Sequence, residues 1–232
     1  STMKRRNFIK TTAAGTLAFM LPSPSSAFAP GKKLRVAQVG LGSMGLNDLK
    51  DIASHPAVEI VALCDVDANA LNTVKTKYAN AKTFSDYREM FKSIGGEIDA
   101  VVVSTPDHAH APVALKAMEM NKNVYCQKPL THYISESRKM DAVAAQKKLV
   151  TQMGIQVHSF YDYKLATILI QKGIIGKVKK VIAWSPKVWG YDGPAPEGSD
   201  PVPEGLNWNL WLGTGKERPY KEGFYHPLNW RK

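Results

Sequence analysis

The sequence predicts an α/β protein built on a doubly wound parallel sheet. Apolar runs of strand length alternate with helix-length segments as far as about residue 155. The first run, 34–39, reads LRVAQV and leads directly into the pattern G-x-G-x-x-G at Gly40, Gly42 and Gly45. Uninterrupted apolar runs of this kind are typical of strands that a parallel sheet buries on both faces.

The remaining elements follow in the same alternation. Further strands are expected at 58–64, 82–84, 98–104, 123–127 and 149–153, and helices after the glycine pattern, at 68–78, between 85 and 96, at 111–120 and at 135–148. Ser85 and Asp86 are typical of a helix cap, and Gly95-Gly96 ends that helix. Beyond the sheet, we expect a helix at 161–172 and a strand at 178–185.

The glycine pattern indicates a dinucleotide site. Gly40 permits a tight turn, Gly42 permits close approach of a pyrophosphate, and Gly45 permits packing of the next helix on the strand. The backbone N–H groups at Ser43 and Met44 would then face the phosphates at the positive end of that helix. The alternative is a purely structural glycine turn.

Asp65 ends the second strand at the offset where a carboxylate accepts from the adenosine ribose. A carboxylate there repels a 2′-phosphate, and the next residues, 66–68, include no arginine to reverse this preference. We therefore expect NAD rather than NADP in a Rossmann domain. The alternative is that Asp65 only caps the next helix.

The two cysteines are expected to be buried free thiols. Cys64 falls on the second strand and Cys126 on the fifth, which a 3-2-1-4-5-6 sheet separates by three strand spacings, roughly 14 Å. That separation is beyond the reach of a disulfide. With no cluster of Cys, His and Asp at ligand spacing, a metal site is not expected.

The N-terminus is similar to a twin-arginine export signal over residues 1–29. Lys4-Arg5-Arg6 precedes a short apolar stretch, and Ala27-Phe28-Ala29 offers a cleavage site. The alternative is a disordered basic tail. Cleavage would remove Lys4, Arg5, Arg6 and Lys10 and lower the formal charge from +11 to +7. The rest of the positive charge is scattered, which argues against nucleic acid as a partner. We expect a periplasmic protein with no membrane attachment after cleavage.

Several motifs together resemble the Gfo/Idh/MocA (glucose–fructose oxidoreductase / inositol dehydrogenase) family. Besides the glycine pattern they are TPDHAH at 105–110, CQKPL at 126–130, MGIQVH at 153–158, GKV at 176–178, LNWNLWLG at 206–213 and HPLNWR at 226–231. The family usually reads Glu-Lys-Pro where this chain has Gln127-Lys128-Pro129. Gln127 keeps the hydrogen-bonding shape of that glutamate without its charge.

The resemblance implies roles for particular residues. Lys128 is expected to contact cofactor and to take up the proton that alcohol oxidation releases, the alternative being a surface lysine. His158, just past the sixth strand, is a second catalytic candidate. Thr105, Pro106 and His108 are expected near the cofactor, as is Gln127, although His108 and His110 could instead cap the next helix.

The family's second domain is an open, mostly antiparallel sheet over the cleft. We expect the signal at 1–29, a NAD-binding Rossmann domain at 30–158, and an incomplete, C-terminally truncated substrate domain of the α+β type at 159–232. All five tryptophans lie beyond residue 183. Most are expected in the core, while Trp189 is left open as a sugar platform.

The resemblance implies a NAD-dependent oxidoreductase acting on a hydroxyl of a sugar, polyol or glycoside in carbohydrate metabolism. One rival is a NAD-dependent glycosidase of the same family, which recycles its cofactor. Another is a non-catalytic nucleotide-binding module. We expect a homo-oligomer, and we expect these 232 residues to bind NAD without turnover.

Overall fold

The computed structural model describes residues 31–186, 190, 193–226 and 229–231. Leu34–Lys232 form one structural unit and Ser1–Lys33 another, of which only residues 31–33 are described. The predicted export signal and Trp189 lie outside the described residues.

Six parallel strands form one sheet in the order β3-β2-β1-β4-β5-β6, as the sequence predicted. They are β1 (Leu34–Val39), β2 (Val58–Cys64), β3 (Lys82–Phe84), β4 (Ala100–Val103), β5 (Asn123–Gln127) and β6 (Thr151–Gly154). The order reverses between β1 and β4, and this switch point lies beside the carboxyl end of β1, where doubly wound sheets bind ligands.

Among the described residues, five α-helices lie between successive strands of the sheet, and two more follow β6. They are α1 (Ser43–Ala53), α2 (Ala68–Val74), α3 (Tyr87–Ile94), α4 (Asp107–Glu119), α5 (Ile134–Lys147), α6 (Tyr161–Gln171) and α7 (Trp208–Leu212). The predicted cap of α3 is confirmed, because the Asp86 side chain accepts a hydrogen bond from the Arg88 N–H at 2.8 Å. Asp67 caps α2 in the same way, accepting from the Asn69 N–H at 2.8 Å.

The two faces of the sheet bury separate cores. Val36 on β1 belongs to a cluster that contains Leu49 of α1, whereas the next residue, Ala37, belongs to a cluster with Phe91 of α3 and Met118 of α4. This alternation follows from the two-residue period of a strand, and it anchors the helices on both faces.

Both cysteines are free and buried, as predicted. In the described part of the chain, no group of three or more His, Cys, Asp or Glu side chains could hold a metal ion. None of the described helices is long and apolar enough to cross a membrane.

The strand predicted at 178–185 is wrong, because these residues form no strand and are exposed. The antiparallel sheet of a second domain, of which only the beginning was expected in this chain, is not evident among the described residues, where Asp67 and Leu206 form an isolated antiparallel bridge. Valine and isoleucine favour a strand at 178–185 by their shape, but a strand forms only where a partner strand is available.

The helix predicted at 111–120 begins four residues earlier, at Asp107. Pro112 therefore lies inside α4, where it has no N–H to donate to the carbonyl of His108. The Thr214 hydroxyl donates to that carbonyl at 3.4 Å. A residue from far along the chain thus partly replaces the missing helical hydrogen bond.

Candidate functional site

The three glycines of the loop between β1 and α1 have two different structural roles. Gly40 has φ +90°, and a Cβ there would lie 2.6 Å from the Ser104 backbone carbonyl. A Cβ on Gly45 would overlap the Gly40 carbonyl oxygen. At Gly42, however, a Cβ would meet nothing within 4 Å. Gly40 and Gly45 are therefore required by the fold, while Gly42 borders open space.

That open space lies at the N-terminus of α1. The N-cap is Gly42, which has no side chain to cap the helix, and the first turn carries no acidic residue. The first helical hydrogen bond runs from the Leu46 N–H to the Gly42 carbonyl at 2.8 Å. The N–H groups of Ser43 and Met44 therefore lack intrahelical acceptors. Together with the helix dipole, they make a site suited to an anion such as a pyrophosphate.

Asp65 lies at the end of β2 and ties the glycine loop in place. Its Oδ2 accepts from the Leu41 N–H at 2.6 Å and its Oδ1 accepts from the Asp67 N–H at 2.9 Å. Burial raises the pKa of Asp65 above its usual value, and the two backbone donors oppose that rise. Each carboxylate oxygen retains a second lone pair for a ribose hydroxyl. The alternative that Asp65 caps the next helix is wrong, because Asp67 does so.

These residues surround a cavity of about 580 Å³. The predicted cofactor residues on its wall are Gly40, Gly42, Ser43, Met44, Asp65, Thr105 and Pro106. Those that do not line it in the described part of the chain are Gly45, His108, Gln127 and Lys128. The cavity therefore contains the phosphate and ribose ends of the predicted site.

The far wall of the cavity comes from residues 204–226 with 229 and 230, which we call the tail segment. Trp211, Thr214, His226 and Trp230 all line the cavity. Backbone hydrogen bonds fix the segment to the loop after β2: the Ala68 N–H donates to Gly205 at 2.9 Å, and the Asn207 N–H donates to Val66 at 2.9 Å. The tail segment is thus part of the candidate site.

A small apolar cluster holds the tail segment in place. Its buried members are Leu206, Trp211, Leu212 and Tyr220, and Val66 packs against them from the loop after β2. Trp208 stacks on Trp211, with ring centroids 4.8 Å apart. The expectation that tryptophans beyond residue 183 serve as core is confirmed for Trp211, which is buried, and is wrong for Trp184, which is exposed.

His108 faces the tail segment rather than the cavity. It belongs to the first turn of α4, and its Nε2–H donates to the Trp211 carbonyl at 2.8 Å. Its ring packs edge-on against Trp211 and Trp230, at centroid distances of 5.4 and 6.2 Å. Burial lowers the pKa of His108 below its usual 6.5. His108 therefore connects α4 to the tail segment as a neutral ring.

His110 joins the loops that follow β4 and β5. It is buried, and its two ring nitrogens lie 2.8 Å from the Thr105 carbonyl and 2.6 Å from the Pro129 carbonyl. It therefore supports both Thr105 and the segment that contains Lys128.

The two predicted catalytic residues lie away from the cavity wall. Lys128 is half-buried directly after β5, and its peptide bond to Pro129 is cis. His158 is exposed on a 3₁₀ turn, Gln156–Ser159, where its ring stacks on Tyr163 at a centroid distance of 5.2 Å. The structure does not bring Lys128 and His158 into one cavity with the glycine loop.

Comparison with known proteins identifies the family. A family profile described as "Oxidoreductase family, NAD-binding Rossmann fold" matches residues 34–155, more than half of the chain. This chain belongs to the Gfo/Idh/MocA family. The resemblance inferred from the sequence motifs is therefore confirmed.

Two of the curated relatives that match at 31% identity carry different names. A glycosyl hydrolase family 109 protein of Stenotrophomonas maltophilia aligns over 189 residues, 76% of this chain and 40% of that protein. An inositol 2-dehydrogenase of Salmonella typhimurium aligns over 147 residues, 62% of this chain and 43% of that protein. The chain thus spans about two fifths of the length of the curated relatives it matches.

Solved structures agree on the fold. The myo-inositol 2-dehydrogenase of Lactobacillus plantarum superposes with a TM-score of 0.59 at 29% identity, covering 63% of this chain and 43% of that one. The scyllo-inositol dehydrogenase of Lactobacillus casei, solved with NAD(H) and scyllo-inositol bound, superposes with a TM-score of 0.57 at 26% identity. That match covers 62% of this chain and 43% of the other.

Within the family pattern, Gln127 takes the place of the usual glutamate. Its side chain is buried, and its Nε2 donates to both carboxylate oxygens of Asp48, at 3.0 and 2.9 Å. Sequence reasoning missed Asp48, although its position three residues after Gly45 puts it on nearly the same face of α1 as that close-packed glycine.

Sequence reasoning also missed Arg88, which lines the cavity from α3. Its guanidinium forms an ion pair with Asp86, with Nη2 to Oδ2 at 2.7 Å, and its Nε lies 3.0 Å from both carboxylate oxygens. The guanidinium of this cavity-lining arginine is therefore already paired with a carboxylate.

Proposed function

We propose that this chain carries the NAD site of an oxidoreductase that oxidises a hydroxyl of a sugar, polyol or glycoside. One observation carries the proposal: the open space at Gly42 adjoins both the uncapped N-terminus of α1 and the carboxylate of Asp65. A dinucleotide needs this combination of an anion site and a hydroxyl acceptor in one cavity. The family match supports the same assignment.

The residues present fit NAD. The N–H groups at Ser43 and Met44 would hold the pyrophosphate, and Asp65 would accept from the adenosine ribose. Asp67 also lines the cavity, and the Asp86 carboxylate there is paired with Arg88, so Asp65 and Asp67 are the two carboxylates that oppose a 2′-phosphate. This charge distribution favours NAD over NADP.

Bound NAD would supply the hydride acceptor for alcohol oxidation. We assign Lys128 the task of receiving the hydroxyl proton, because it follows β5 at the edge of the sheet where ligands bind. His158 follows β6 at the same edge and is the second candidate for that task. Both roles remain proposals, as do the domain limits at residues 158 and 159.

Two reactions compete as the overall outcome. The inositol 2-dehydrogenase relative favours oxidation of a polyol, and the glycosyl hydrolase family 109 relative favours net hydrolysis of a glycoside. The purified protein should be incubated with NAD and either myo-inositol, scyllo-inositol or a panel of p-nitrophenyl glycosides. A dehydrogenase accumulates NADH at 340 nm in step with product, whereas the glycosidase releases nitrophenol without net NADH.

The same assay tests the other expectations. If the protein binds NAD but gives neither product, that result favours a binding module and does not bear on the catalytic role of Lys128. That outcome also matches the prediction that these 232 residues bind NAD without turnover.

Export and self-association are further proposals. Replacing Arg5 and Arg6 by lysine should leave the protein in the cytoplasm, and a periplasmic double variant would contradict export by the twin-arginine route. Sedimentation of the wild type as a monomer would contradict the homo-oligomer.

A further inference from the structure

Asp48, on α1, faces the carboxyl ends of β4 and β5. The Ser104 hydroxyl donates to its Oδ2 at 2.6 Å. The Gln127 Nε2 donates to Oδ1 at 3.0 Å and to Oδ2 at 2.9 Å. A charged side chain on the helix after the glycine loop thus receives hydrogen bonds from the ends of two other strands.

The carboxylate determines which way the Gln127 amide points. A carboxylate accepts hydrogen bonds and donates none, so the amide must turn its NH₂ group toward Asp48. The amide oxygen then accepts from the backbone N–H of Lys128, at 3.2 Å. The opposite orientation would set two acceptors against each other at Asp48 and two donors against each other at Lys128.

The amide has no room to move elsewhere. Gln127 is only 4% exposed, and a Cβ on Gly154 of β6 would come within 2.8 to 2.9 Å of its amide atoms. Glycine at position 154 therefore accommodates Gln127, which stays pressed between α1 and β6.

The same network reaches the glycine loop. The Gln38 Nε2 donates to the Ser104 Oγ at 3.2 Å and to the Gly40 carbonyl at 2.9 Å. Gln38 is fully buried, and its Oε1 has no hydrogen-bond partner among the described residues. A continuous series of hydrogen bonds therefore runs from the Gly40 carbonyl to the backbone of Lys128. Its intermediate members are the side chains of Gln38, Ser104, Asp48 and Gln127.

We propose that Asp48 is a positioning residue that orients the Gln127 amide, so that Gln127 holds the backbone of Lys128 in register with the glycine loop. Its presence also requires an amide rather than a carboxylate at position 127, because a glutamate there would face Asp48 at about 3 Å. Any effect of Asp48 on catalysis rests on the proposed role of Lys128. The hydrogen-bond network itself does not depend on that role.

The first test compares thermal unfolding of wild type, Gln127→Glu, Asp48→Asn and the double variant at pH 5 and pH 8. Gln127→Glu should lower the unfolding temperature by about 5 °C at pH 8. The loss should shrink at pH 5, because the added carboxyl group then takes up a proton and again donates to Asp48. Tyr125 stays protonated over this range, since burial and then the nearby Asp48 and Asp51 carboxylates raise its pKa above 10.

The double variant is the matched control. The amide that it introduces at position 48 can donate to the carboxylate introduced at position 127. That carboxylate still accepts from the Lys128 N–H. The hydrogen bond between positions 48 and 127 is thus restored with donor and acceptor exchanged. We expect the double variant to recover to within about 2 °C of wild type at both pH values. A pH-independent loss in Gln127→Glu, or no recovery in the double variant, would overturn the proposal.

The second test asks whether Asp48 acts on Lys128. Asp48→Ala should speed hydrogen exchange of the Lys128 backbone amide about tenfold, because the released Gln127 amide no longer holds it. The control is Asp51→Ala, which removes an exposed aspartate from the same helix and should leave that rate unchanged. Equal rates in wild type and Asp48→Ala would remove Asp48 as a positioning residue. Neither test requires NAD, so a protein that passes both but binds no NAD refutes the proposed function alone.

Discussion

Adding one side chain at each glycine of the loop should separate binding from folding. At Gly42 a new Cβ meets no atom within 4 Å, and φ is −65°, which any residue adopts. Gly42→Val should therefore fold while its side chain occupies the space beside the first N–H groups of α1. At Gly45 the new Cβ would overlap the Gly40 carbonyl, so Gly45→Ala should lose stability as well.

The expected loss of affinity follows from the contacts at that helix end. Ser43 and Met44 each present one backbone N–H without an intrahelical acceptor. A hydrogen bond to a charged phosphate contributes about 1.5–3 kcal/mol. Losing both weakens NAD binding by about 3–6 kcal/mol, or roughly 10²–10⁴-fold. The unfolding free energy of Gly42→Val should change by no more than about 1 kcal/mol.

Calorimetric titration with NAD and urea unfolding followed by circular dichroism measure the two quantities. Gly96→Ala is the matched control, because its Cβ also meets nothing within 4 Å but it lies outside the cavity wall. Gly45→Ala should lose about 1–3 kcal/mol of stability. Undiminished NAD affinity in Gly42→Val would refute the assignment of the pyrophosphate to this loop.

Further predictions concern charge and protonation. Asp65→Asn should weaken NAD binding about tenfold and reduce the preference for NAD over NADP, since a charge-assisted hydrogen bond becomes a neutral one. An unchanged ratio of the NAD and NADP dissociation constants would contradict the contact between Asp65 and the ribose. Burial raises the pKa of Cys64 and raises that of Cys126 to about 12, so neither thiol should react with a disulfide reagent at pH 8 until the protein is unfolded. Because burial lowers the pKa of His108, the unfolded state binds its proton first, and stability should fall as the pH drops below about 6.5. His108→Gln should flatten that dependence, as the difference between the two unfolding curves will show.

The sheet could be predicted because its signals are local. The limits of β1, β2 and β5 match the predicted runs, since buried parallel strands leave an uninterrupted pattern in the sequence. The cap of α3 could also be predicted locally, because Asp86 lies two residues before the N–H group from which it accepts a hydrogen bond. For α2 the sequence offers Asp65 as a possible cap, whereas Asp67 caps that helix. The strand order followed from the general topology of such sheets.

The rest depends on contacts between residues far apart in the chain. Nothing local to Asp107–Pro112 indicates that a helix will contain Pro112, because the compensating hydroxyl comes from Thr214. Asp48 resembles any helical surface residue until β5 brings Gln127 against it. The wall that the tail segment builds on the cavity likewise has no local signal, and the tryptophan content alone suggested only a core.

We propose that one cavity, between the glycine loop, Asp65 and the tail segment, holds NAD. A crystal structure of this protein grown with NAD would show whether it does. We predict the pyrophosphate at Gly42 and Ser43, and the adenosine ribose against Asp65. A dinucleotide bound elsewhere, or an empty cavity under NAD concentrations that saturate the protein in solution, would contradict the claim.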